Sequence, residues 1–344
     1  ADALRAYQRL RRRLREDVGI EPSVDLQRME SRILWQDERL EADPPAPPNN
    51  LPAPLSSLVG RDEDARLVAK RVLEHRLVTL LGIGGVGKTR LALEAGRALV
   101  PSQDDGVWWV DLASVDRPGR VAGQVASSLG VATDGDQSTT EALAAHLRVR
   151  QLLLILDNCE HLAAETADLV VRLLEASAGV TVLATSQIAL GVPGEIHLTV
   201  EPLATPTTGM STENASSTES VRLFVQRVEE HGGRLDARDD LPVIAEICHR
   251  LEGVPLAIEL AAARIGHLTP AQILARLDDR LGLLAPGPAA GDPRHRTLRA
   301  SIDWSYDLLD DTDRRLFDRL AVFPADFGLE AAIAMGLSAG IGAD

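Results

Sequence analysis

Leu77-Val78-Thr79-Leu80-Leu81-Gly82-Ile83-Gly84-Gly85-Val86-Gly87-Lys88-Thr89-Arg90-Leu91-Ala92-Leu93-Glu94-Ala95 joins an apolar run, a glycine loop and a helix-forming run without a gap. The first five residues have the length and character of a buried strand, and the last six favour a helix. Between them, Gly82 to Thr89 satisfies G-x-x-x-x-G-K-[ST] in the strand-loop-helix context that a phosphate-binding loop needs. Glycines let backbone N–H groups curl around phosphate oxygens without a Cβ in the way, and the following helix aims its positive end at the same anion. The expected cradle is Gly82, Gly84, Gly85, Val86 and Gly87, continued by Lys88, Thr89 and Arg90. Lys88 is expected to reach the β- and γ-phosphates, and Thr89 to place its hydroxyl on Mg²⁺.

Other apolar runs alternate with helical patterns on either side: Val107 to Leu112, Leu152 to Leu156, Val180 to Thr185 and Ile196 to Val200. That alternation predicts an α/β fold, a P-loop NTPase parallel sheet with helices on both faces. Leu152-Leu153-Leu154-Ile155-Leu156 ends in Asp157, the position for a carboxylate that orders Mg²⁺ through its water shell, although a strand-end Asp also caps helices. Asn158 stands where efficient ATPases often place a second acid. Glu160, three positions after Asp157, is the candidate for orienting water, and equally a glutamate that a helix dipole favours in its first turn. Gln187, after Thr185-Ser186, is placed as a γ-phosphate contact able to hydrogen-bond but not to neutralise charge, or as a plain polar turn. Val59-Gly60-Arg61 and Pro255, within Gly253-Val254-Pro255, are candidates for holding the base.

Around this core the chain divides by composition. Leu4, Tyr7, Leu14 and Val18 recur at helical spacing, and Leu26, Met29 and Ile33 share a face after Pro22, so residues 1–42 read as an N-terminal helical hairpin. Its Arg9 to Arg15 run reads as a solvated face offset by neighbouring acids. Residues 43–54 are proline-rich and read as a semi-rigid linker, 55–205 as the sheet domain, and Ala204 to Ser220 as a surface loop. A small all-helical domain is expected over 219–284, a second linker from Ala285 to Pro293, and a further helical module over 297–344. The net charge of −15 argues against a nucleic-acid surface on these residues as a whole, and two cysteines are too few for a disulfide framework. With no apolar span or leader in sight, the expectation is the cytoplasm and no membrane partner. The chain begins at Ala1, without Met, inside an amphipathic pattern, and is expected to be a piece of a longer protein.

Val59-Gly60-Arg61, the glycine loop, Leu156-Asp157-Asn158-Cys159-Glu160-His161, Thr185-Ser186 and Gly253-Val254-Pro255-Leu256-Ala257 resemble, in order, the motifs of signal-transduction (STAND) ATPases of the NB-ARC type found in bacterial transcriptional regulators. Residues Ala3 to Ser23 resemble the end of a bacterial transcriptional activation domain (BTAD), and the combination resembles the Streptomyces antibiotic regulatory protein (SARP) family in its large, AfsR-like form. The resemblance implies a winged-helix DNA-binding domain ahead of residue 1 and a second, partial winged helix over 297–344. It also implies RNA polymerase as a partner, nucleotide-dependent homo-oligomers, and control of antibiotic production. ADP would hold the domains closed and exchange for ATP would open them. Relatives usually carry arginine where this chain has Gln187, which has no charge to neutralise a γ-phosphate, so weaker discrimination between ATP and ADP is expected. They also use a winged-helix histidine on ADP, for which His295 and Arg296 are merely nearby. Three functions are compatible with the motifs: a slow-hydrolysing switch, an actively turning-over ATPase such as an assembly motor, and an interaction scaffold with a vestigial site.

Overall fold

The computed structural model describes residues 47–277 apart from 54–55, 116, 118, 133–137, 208–209 and 237, residues 311–323 and 328–338, and the single positions Tyr7, Arg11, Pro22, Glu30, Tyr306 and Leu309. The chain divides into two compact units, Ala1–Pro47 and Pro48–Asp344. In the first, Tyr7, Arg11 and Glu30 are helical, Pro22 is not, and the other residues of the expected hairpin lie outside the described residues.

Five strands form one sheet: β1 (Leu77–Leu81), β2 (Val107–Asp111), β3 (Leu152–Asp157), β4 (Val180–Ser186) and β5 (Ile196–Thr199). All pairings are parallel, and the spatial order is β2-β3-β4-β1-β5. Side chains alternate across a strand, and here both faces are apolar because helices cover both. Leu152, Leu154 and Leu156 face α3 (Val121–Leu129), α4 (Thr139–Leu147) and α5 (Ala163–Ala176), while Leu153 and Ile155 face α1 (Asp62–Glu74) and α2 (Lys88–Leu99). The expected doubly covered parallel sheet is the one observed.

The helical part follows: α6 (Thr212–Ser217), α7 (Glu219–Glu230), α8 (Asp240–Arg250), α9 (Pro255–Ala262) and α10 (Pro270–Arg276). They close around Phe224, Ile244, Ile247, Ile258 and Ile273, with Val59 and Leu203 from either side of the sheet joining the same core. Pro255 occupies the first turn of α9, where its missing N–H has no helical partner to lose.

Two expectations need correction. Ala204 to Ser220 is not a continuous loop, since α6 forms within it and α7 begins at Glu219. The Ser211 side chain caps α6, and Ala215 is buried, so a segment without helical periodicity is held by a cap and by packing against α7 and α8. The proline-rich stretch is not a linker to its end. Pro48 accepts from Val107 N–H at 3.1 Å, and Asn49 makes a parallel bridge with Val107. Proline lacks a donor but keeps its carbonyl, which is what the outer edge of β2 requires.

Within 297–344, α11 (Asp311–Leu320) and α12 (Leu329–Ser338) are helical. His295, Arg296, most of Leu298 to Tyr306 and the second linker lie outside the described residues. Among the described residues no helix is long and apolar enough to cross a membrane.

Candidate functional site

Parallel strands of one sheet deliver their carboxyl ends to one edge, and the strand order puts β1, β4 and β3 side by side there. The glycine loop leaves β1 after Leu81 and enters α2 at Lys88. Gly87 caps α2 at φ 99°, left-handed backbone that a side chain would strain. Gly85 is also left-handed at φ 78°, and a Cβ there would stand 2.9 Å from the Leu256 Cβ. The Lys88 ammonium donates to the carbonyls of Gly82 at 2.7 Å and Ile83 at 3.1 Å, which curls the loop around it. Burial lowers its pKa, and the Glu160 and Asp157 carboxylates pull it back up.

Thr89, one residue into α2, donates from Oγ1 to Asp157 Oδ1 at 2.9 Å. The same oxygen receives Thr185 Oγ1 at 2.5 Å from the end of β4. Asp157 Oδ2 accepts from Asn158 Nδ2 at 3.0 Å, and that amide also reaches Asp111 Oδ1, at the end of β2, at 3.3 Å. Asn158 holds the left-handed φ of 62°, a conformation its short amide side chain tolerates. Asp157 is 2% exposed, and burial pushes its carboxyl up to about 6, against the two threonine hydrogen bonds and with repulsion from Asp111 and Glu160.

Thr89 and Asp157 thus supply a hydroxyl and a carboxylate oxygen together at a helix start, oxygen donors of the kind Mg²⁺ takes when phosphates and water complete its shell. The donor set fits that ion. Glu160 lies in a single 3₁₀ turn, Glu160–Leu162, not in a regular helix; it is buried, and its Oε2 has no hydrogen-bond partner. Gln187 follows Ser186, which pairs in register with Leu81, so it stands beside the point where the loop leaves the sheet.

The other motif residues fasten neighbouring segments. Arg61, 6% exposed, donates to Val86 O at 3.5 Å, Glu201 O at 2.5 Å and Asp64 at 2.8 Å, and so ties the start of α1 to the loop. Val59 packs into the helical core, and Gly60 sits against Glu219, where a Cβ would meet the Glu219 Cγ at 2.8 Å. Pro255 is brought to the loop because Leu256 N–H donates to Gly85 O at 3.2 Å. Arg90 faces the helical part, donating to Glu259 Oε1 at 2.8 Å and to the Ser56 and Ser57 carbonyls. Reading the sequence missed Asp111 and Glu259. Asp111 was detectable as the acid ending an apolar run, but Glu259 lies 169 positions from Arg90 and nothing local marks it.

Residues 72–190 match the AAA domain family, and residues 1–34 match the bacterial transcriptional activator domain family. The chain is 42% identical over 266 residues to a Mycobacterium tuberculosis protein provisionally named as an HTH-type transcriptional regulator, covering 76% of this chain and 29% of that protein. It therefore spans under a third of that relative. An uncharacterized M. tuberculosis protein is 37% identical over 283 residues, covering 82% of this chain and 69% of the relative. The regulatory protein AfsR of Streptomyces griseus is 30% identical over 363 residues, covering 97% of this chain and 34% of AfsR. Among solved structures, a Walker-type ATPase of Pyrococcus abyssi is 14% identical, covering 81% of this chain and 89% of that one, with a TM-score of 0.49.

Proposed function

The chain belongs to the SARP-like, AAA-domain-containing regulators, and on that premise we propose that Gly82 to Thr89 hold ATP or ADP as the switch of a bacterial transcriptional regulator. The observation that carries this reading is the meeting of Lys88, Thr89 and Asp157 at the carboxyl edge of the sheet, with α9 of the helical part resting on the same loop. The loop N–H groups and Lys88 would bind the phosphates. Thr89 and Asp157 would hold Mg²⁺, which when bound supplies positive charge to the phosphate oxygens. Gln187 would hydrogen-bond a γ-phosphate without neutralising it, so the two nucleotides are told apart weakly. A ligand shifts a conformational equilibrium only by its differential affinity for the two states, and the loop contact with α9 is where such a difference can be read.

Under the same proposal the whole protein works in the cytoplasm, controls antibiotic or other secondary-metabolism promoters, and touches DNA through a domain outside these residues. The net charge of −15 supports that division of labour. RNA polymerase, through the activation domain, and a second copy of the chain in the ATP state complete the partners. A second reading, turnover as the output, is favoured by the unpartnered buried oxygen of Glu160, which is suited to orienting a water. With Asn158 next to Asp157 instead of a second acid, we expect that hydrolysis to be slow. Calorimetry tests the site: the chain should bind ADP with Mg²⁺, and Lys88→Ala should abolish binding. Unchanged affinity in that variant would refute the assignment.

A further inference from the structure

Glu259 Oε1 accepts from two guanidinium groups at once, Arg90 Nη1 at 2.8 Å and Arg227 Nε at 2.9 Å. Arg90 follows Thr89 in the first turn of α2, and Arg227, 5% exposed on its side chain, belongs to α7. Both arginines also donate to the Ser57 carbonyl, at 3.2 and 3.1 Å, which binds the segment leading into the sheet domain to the same point. Leu256 and Glu259 are three apart on α9 and so share a face. One face of α9 therefore touches the glycine loop at Gly85 and the helix behind it at Arg90. Val86, Gly87, Arg90, Pro255 and Glu259 line a small, partly open cavity of about 30 Å³ at this contact, room for a water or two.

We infer that Arg90 and Glu259 form a latch between the P-loop helix and the helical part, and that its opening sets the rate at which bound nucleotide leaves. The inference rests on the nucleotide reading above. Arg90 is then a positioning residue that grips the neighbouring domain instead of the phosphates. Because one carboxylate separates two arginines, removing Glu259 leaves two cations facing each other, whereas removing Arg90 leaves Glu259 paired with Arg227.

The test uses the whole chain loaded with a fluorescent N-methylanthraniloyl ADP and chased with excess ADP in a stopped-flow instrument. Glu259→Gln and Arg90→Met are each expected to release the analogue about tenfold faster than the parent chain. The double variant should release it no faster than the faster single variant, because both remove one contact. Release within about twofold of the parent in both single variants overturns the latch, as does a double variant whose effect is the product of the two. A lowered melting temperature with unchanged release marks a merely structural ion pair and also overturns it. Failure of the parent chain itself to take up the analogue overturns the nucleotide reading, and the latch with it.

Discussion

Asp157 is a carboxylate that folding removes from water and surrounds with two hydroxyls, one amide and two further acids. Its carboxyl rises from 3.8 to about 6, so the folded chain holds that proton more tightly than the unfolded chain does. The stabilisation from protonation is fully present below about pH 4 and is lost as pH rises through about 6, after which the buried charge counts against the fold by about 3 kcal/mol. Asp157→Asn keeps an oxygen for Thr89 and Thr185 but loses the acceptor for Asn158. We therefore expect it to raise stability at pH 7.5 by about 2 kcal/mol and to leave it nearly unchanged at pH 4, read from thermal melts. A loss of stability at pH 7.5 would show that the carboxylate is held by more than these contacts. A carboxylate buried at a cost to the fold is the kind of group that functional sites keep, and under the proposed function its charge would serve Mg²⁺.

At the scale of elements, α2 carries the site and must lie close to the sheet. Gly96 allows this: a Cβ there would stand 2.6 Å from Ile155 Cδ1 on β3. Alanine would favour the helix by about 1 kcal/mol and overpack the contact by a similar or larger amount. Ile155→Val, which removes that methyl, should cost about 1 kcal/mol less in the Gly96→Ala background than in the parent chain, measured by denaturant unfolding. Strict additivity would contradict the packing described. The strands and the loop were legible because their signals are local: apolar runs of strand length, a glycine pattern, an acid at a strand end. Helix α6 was not legible, since a serine cap and one buried alanine leave no periodic trace. Nor was the pairing of Arg90 with Glu259, because only the folded chain brings α9 to α2. Glu160 was visible as a residue but not as a buried, half-unpartnered one in a 3₁₀ turn.

At the scale of the molecule, the sheet domain and the helical part share residues instead of merely abutting. Val59 and Leu203, from segments flanking the sheet, complete the helical core, and Leu256 closes onto the loop from the other direction. Nucleotide phosphates bound at the loop would therefore be felt by the helical part through main chain and through the Arg90–Glu259 pair together. Under the proposed function, that arrangement would serve state-dependent holding better than rapid turnover, as would Asn158 and Gln187. The central claim, that the glycine loop grips a nucleotide firmly enough to act as a switch, is tested most directly by denaturing the purified chain and identifying what it releases by ion-exchange chromatography. Retained ADP approaching one molecule per chain, absent from Lys88→Ala, is the predicted result. No released nucleotide, together with none retained after incubation with ADP and Mg²⁺, would contradict it.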